Sequence, residues 1–161
     1  MSVSVTVAAT LSISEVLATN TGSAAAASRT VTHTSYNIAE TATAATTPPV
    51  TNQASFLLTL SGGAATIDLR AMTGTNGASI DANGLKPQYV RIKNLGANVM
   101  TISEGASNGH DLFTSSGTKI YPGGFIMVGG YDSASDVSGT DKTWDVAGTG
   151  SQTAEVTIIV G

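Results

Sequence analysis

The sequence has no cysteine, four prolines, one tryptophan and little charge. Without cysteine there are no disulfide cross-links and no thiolate metal centres, and the redox compartment stays open. Charged residues make up 11% of the chain and the net charge is −4. Seven basic residues spread over 161 positions leave no electrostatic footprint for nucleic acid, so no nucleic-acid partner is expected. There is no run of about 18 consecutive apolar residues, so no membrane-spanning helix is expected. The opening MSVSVTVAAT lacks the basic segment that begins a secretory signal. No stretch reads as a convincing helix.

Ala, Ser, Thr and Gly, by contrast, supply about half of the residues. Disorder normally needs high net charge and low hydrophobicity, and this chain has neither. Low charge also removes the usual brake on association. No side chain from Thr41 to Ile67 can ionise. Such a stretch can lie against a neighbouring subunit without desolvating a charge.

Strand signals recur along the chain. Val3, Val5 and Val7 alternate with Ser2, Ser4 and Thr6, the period of a half-buried strand. Leu11–Ile13 extend it after a break at Ala8–Ala9. Residues 29–38 alternate again, and 39–54 read as a long connection containing Pro48 and Pro49. SFLLTL at 55–60 and ATIDLR at 65–70 flank Ser61-Gly62-Gly63-Ala64, which predicts a hairpin. QYVRIKN (88–94), NVMTIS (98–103), GFIMV (124–128) and AEVTIIV (154–160) follow, each bounded by glycine-rich turns. The expected fold is all-β: an antiparallel, jelly-roll-like β-sandwich with an extended N-terminal β arm. Residues 1–14 are expected to form the arm and 15–161 a single sandwich domain.

The residues that could carry chemistry are few. His33 shares a strand face with Val31 and reads as a core or interface residue. His110-Asp111 sits in a Gly/Asn loop. A histidine beside a carboxylate can orient a base, but no G-x-S-x-G nucleophile motif accompanies it. It reads as turn chemistry or a buried loop anchor. Asp132, Asp136, Asp141 and Asp145 crowd one loop, yet their spacing is not that of an EF-hand, so no metal site and no cofactor are expected. Tyr131 and Trp144 flank the same loop and are the candidates for stacking on a sugar ring, although a lone tryptophan in a strand is more often core. No catalytic constellation emerges, and an enzyme is not expected.

Four pieces have a recognisable look: ATIDLRAMTGTNGASIDANGLKPQYVRIKN at 65–94, MTISEGASNGHDLF at 100–113, IYPGGFIMV at 120–128 and DKTWDVAGTGSQTAEVTIIVG at 141–161. In this order they resemble small structural proteins encoded among the head genes of tailed bacteriophages. The resemblance spans 65–161; residues 1–64 share only a Ser/Thr/Ala-rich character. It implies a β-sandwich capsid decoration (cement) protein on the exterior of the virion, binding the major capsid protein between capsomers as a homotrimer. It carries over no catalytic residue. Val3, Val5, Val7, Leu11, Ile13, Pro48 and Pro49 are the expected capsid or intersubunit contacts. Two other readings stand beside it. One is a carbohydrate- or receptor-binding module of a phage tail or fibre, using Tyr131 and Trp144. The other is a single-jelly-roll major coat protein.

Overall fold

The structure is a computed structural model, and it describes residues 3–11, 14–18, 28–32, 36–75, 77–129 and 134–161. Among the described residues, fourteen strands run in chain order. They are β1 Ser4–Leu11, β2 Ser14–Ala18, β3 Ser28–Thr32, β4 Tyr36–Thr43, β5 Asn52–Thr59, β6 Ala64–Asp68 and β7 Met72–Thr73. Then come β8 Ser79–Ile80, β9 Pro87–Asn94, β10 Met100–Glu104, β11 Thr118–Ile120, β12 Phe125–Gly129, β13 Thr143–Ala147 and β14 Thr153–Val160. There is no helix among the described residues.

The chain divides into two compact units, Val5–Thr41 and Met1–Ser4 with Ala42–Gly161. In the smaller unit the pairing is nested: β2 pairs with β3, and β1 with β4. β2 and β3 run antiparallel, with Ser14 opposite Thr32 and Ala18 opposite Ser28. The Thr6 and Thr41 hydroxyls meet at 3.2 Å across the outer pair. The strand at the start of the arm expected over 1–14, β1, takes its partner strand from 36–43. Alternation within one strand cannot reveal that partner. The connection expected over 39–54 is shorter, since β4 runs through Thr43 and β5 begins at Asn52. Val3, Val5 and Val7 are half-buried and alternate with exposed Ser4, Thr6 and Ala8. Ile13 lies outside the described residues, as do His33, Tyr131 and Asp132. Pro48 and Pro49 are half-buried in the turn after β4.

The larger unit is a sandwich of two four-stranded antiparallel sheets, ordered β11-β10-β13-β6 and β12-β9-β14-β5. Numbering its eight principal strands from β5, the sheets read 1-8-3-6 and 2-7-4-5. That is the strand order of a jelly roll, two Greek keys wrapped into one sandwich. One apolar core joins both sheets. Val90, Ile92, Ala154, Val156 and Ile158 enter from one side, and Ile67, Met100, Ile102, Ile120, Trp144 and Val146 from the other. Each is a member of a period-two pattern: on β14, Ala154, Val156 and Ile158 are buried while Glu155 is exposed.

The hairpin expected from 55–60 and 65–70 does not form. β5 pairs with β14 and β6 with β13, so the turn at 60–63 carries the chain from one sheet to the other. Gly62 and Gly63 have φ of 60° and 87°, the left-handed region that tolerates glycine best. A Cβ at Gly63 would also press on the Gly148 carbonyl oxygen at 2.9 Å. Turns at 95–99, 121–124 and 148–152 make the same change of sheet. They bind one another at one end of the sandwich. Gly63 N–H donates to Gly150 O (2.7 Å), Gly148 N–H to Gly63 O (2.8 Å) and Gly123 N–H to Asn94 O (3.1 Å). The described residues of the long connections 69–86, 105–117 and 134–142 gather at the opposite end.

Candidate functional site

The described parts of the three long connections lock onto one another through backbone hydrogen bonds. Leu69 N–H donates to Lys142 O (2.9 Å), Gly84 N–H to Val137 O (2.8 Å) and Val137 N–H to Leu85 O (2.8 Å). Thr143 is the hub for 105–117. Its carbonyl accepts from Gly105 N–H and His110 N–H, both at 3.0 Å, and its own N–H donates to Asn108 O at 2.9 Å. Its hydroxyl donates to Asn108 O as well, at 3.1 Å. Asn108, at φ 54°, takes the left-handed turn this requires. A Cβ on Gly105 would collide with the Thr143 side chain, so the close approach depends on glycine.

Charges at this end are mostly paired. Arg70 donates from Nε (3.1 Å) and an η nitrogen (3.2 Å) to the two Asp81 oxygens. This bond holds the Asp81 carboxyl below its ordinary range, helped by the Asn83 N–H, and raises the Arg70 guanidinium. Lys142 donates to Asp68 at 3.0 Å, and Lys86 lies 4.0 Å from Asp136. Pairs this exposed contribute little individually.

His110 sits in the middle of the end and is fully buried. Its Nε2 meets Ser135 O at 3.0 Å. A carbonyl oxygen only accepts, so Nε2 carries the proton and Nδ1 presents a lone pair. That lone pair accepts from Leu112 N–H at 3.2 Å and lies 3.6 Å from Asp111 Oδ1. The His110 ring meets Trp144 edge to face, centroids 5.8 Å apart, and Trp144 meets Phe113 the same way at 5.1 Å. Asp111 accepts from the Ser135 hydroxyl (2.7 Å) and Ser135 N–H (3.2 Å). Burial pushes its carboxyl up, but these bonds and the neighbouring His110 outweigh that, and the net shift is downward. A carboxyl lowered by folding stabilises the protein above its unfolded value and loses that contribution as pH falls through the folded one. The stability difference between wild type and Asp111→Asn is therefore expected to shrink below about pH 4. Urea melts between pH 6 and pH 2.5 check this, and a constant difference would refute it.

The four aspartates crowded in sequence do not form one cluster. Asp136 faces Lys86. Asp145 accepts from the Thr66 hydroxyl (2.7 Å) and Ala106 N–H (2.8 Å). Asp141 instead joins His110 and Asp111, with one ligand atom of each within 4.8 Å of the others. No spacing rule could have found this trio, because 30 residues and two strands separate Asp111 from Asp141. The sugar-stacking role considered for Trp144 is corrected. The side chain has no exposed surface, because the inward period of β13 points it into the core.

A second surface is built by the outer face of the β12-β9-β14-β5 sheet. Phe125 (60% exposed) and Met127 lie on edge strand β12, and Leu57 (61%) lies on edge strand β5. Register places Phe125, Lys93, Glu155 and Leu57 in one row across the sheet. The Arg91 guanidinium lies over the Phe125 ring at 5.6 Å and 3.5 Å from Glu155 Oε2. Tyr121, in the turn before β12, is 65% exposed. Large side chains left in water on one face normally mark a contact surface. No family model, no curated protein and no solved structure matches this chain.

Proposed function

We propose that this chain is a non-enzymatic structural subunit of a bacteriophage virion, a capsid decoration protein that binds the major capsid protein between capsomers as a homotrimer. The observation that carries this reading is the outer sheet face. Phe125, Met127 and Leu57 stand exposed there around a Lys93–Glu155–Arg91 centre. Such a face supplies apolar contact area and fixed charges for register at once. The jelly-roll order of the sheets supports the same reading, since viral capsid domains use that architecture. A low-charge β arm suits contact with a neighbouring chain. An exposed strand edge can extend a partner sheet through main-chain bonds. The resemblance of segments 65–161 to head proteins names the partner.

The test is co-sedimentation of the purified protein with mature shells of the major capsid protein encoded beside it. Wild type is expected to sediment with the shells and to run as a trimer in mass photometry. The double variant Phe125→Ser/Met127→Ser is expected to bind more than about a hundredfold more weakly, since each apolar side chain buried in a contact contributes about 1.5–3 kcal/mol. Its melting temperature should stay close to wild type, because both side chains already face water. A wild-type protein that fails to sediment and remains monomeric overturns the proposal. Unchanged binding by the double variant moves the contact surface elsewhere, and deleting residues 1–14 then tests the arm.

A further inference from the structure

We infer that His110, Asp111 and Asp141 form a binding site for one divalent transition-metal cation of the zinc type. The inference is independent of the virion reading. Three observations meet at this point. The first is geometry: one ligand atom from each residue lies within 4.8 Å of the other two. His110 Nδ1 and Asp111 Oδ1 are 3.6 Å apart. Tetrahedral zinc, with bonds of about 2.0–2.1 Å, spaces its ligand atoms roughly 3.3 Å apart. Small side-chain adjustments therefore suffice to close the set.

The second observation is the histidine. Its side chain is fully buried, and Nε2–H is fixed on the Ser135 carbonyl. Metal-binding imidazoles characteristically donate their other N–H to a carbonyl or carboxylate, which fixes the tautomer and orients the ring. Here the donated bond leaves the Nδ1 lone pair available 3.6 Å from Asp111 Oδ1. Its present donor, Leu112 N–H, is a local contact at 3.2 Å. The Asp111 carboxylate is held in place by Ser135, and its oxygens retain lone pairs beyond the two in use.

The third observation is independent of the first two. Among the described residues, Asp141 Oδ1 is enclosed by protein and has no hydrogen-bond partner. A carboxylate oxygen shut away from water without a donor is costly. This one belongs to the residue that completes the set. A cation would satisfy it and would also offset the repulsion between two neighbouring carboxylates. One imidazole nitrogen with two carboxylate oxygens suits zinc and its neighbours rather than calcium or magnesium, which prefer all-oxygen shells. Bound there, the ion would tie 105–117 to 130–142 across the loop end.

Zinc chloride titrated into the full chain, after dialysis against EDTA, tests the site by calorimetry and by thermal melting. One ion per chain is expected. At a hundredfold excess over Kd the melting temperature should rise by about 5–10 °C. Asp141→Asn and Asp111→Asn should each weaken zinc binding by about tenfold or more, with each reaching its own metal-free fold. Asp111 is the safer probe, since its side chain is 56% exposed. Calcium should give a smaller shift than zinc at equal concentration. Any of three results overturns the assignment: no zinc heat and no zinc-dependent shift, zinc binding undiminished in both variants, or calcium matching zinc.

Discussion

Replacing Trp144 with alanine should cost about 3–5 kcal/mol of folding stability, the largest loss expected from any single core substitution in this chain. The indole is the largest fully buried side chain. It sits on β13, a central strand of its sheet, and meets both His110 and Phe113 edge to face. Removing it would leave a cavity that neighbouring strands, held by their ladders, cannot close. It would also strip the support from His110, so the loss would spread into 105–117. Chemical denaturation measures the effect, and a loss below about 1.5 kcal/mol would mean that the core repacks around the gap. Trp144→Phe should cost far less, because it keeps an aromatic ring and deletes an indole N–H that finds no acceptor.

Asn94→Ala is expected to cost about 2–4 kcal/mol, and for a different reason. Asn94 ends β9 with no exposed surface. Its Oδ1 accepts from Gly96 N–H at 2.8 Å, and its Nδ2 donates to Asn98 O (2.8 Å) and Ile120 O (3.0 Å). One side chain thus satisfies three backbone groups from two sheet-changing turns. Alanine removes the amide and leaves those groups with one partner fewer, and the bond to the Ile120 carbonyl is buried. Gln152 gives partial insurance for one of them, since its Nε2 also donates to Asn98 O at 2.7 Å. Double-mutant denaturation with Gln152→Ala measures the sharing. A single-variant loss under about 1 kcal/mol would show that water replaces the amide. The large aromatic and the small amide therefore guard opposite ends of the sandwich, one by volume and the other by bond count.

Much of the sandwich was legible because its strands are amphipathic at period two. Ala154, Val156 and Ile158 announce β14 wherever it packs, and the same holds for Val90 and Ile92 on β9. Both elements appear within a residue or two of the expected limits. Pairing was not legible. Ser55–Leu60 and Ala65–Arg70 look like a hairpin because a glycine turn joins two apolar runs. Whether such a turn folds strands onto each other or passes between sheets depends on where other strands lie. The arm shows the same limit: Val3, Val5 and Val7 predict a strand but cannot say that its partner lies at 36–43.

The candidate site followed the same division. Local sequence determined that this chain is all-β, turns on glycine and asparagine, carries little charge and holds few reactive groups. Those properties reside in single residues and short periods. Tertiary structure alone decided that Trp144 is shut inside, that Phe125, Met127 and Leu57 share one exposed face, and that Asp141 reaches His110 and Asp111. Each of these depends on which strands become neighbours. In a jelly roll the neighbours are distant in sequence, so long-range packing settles them rather than any local signal.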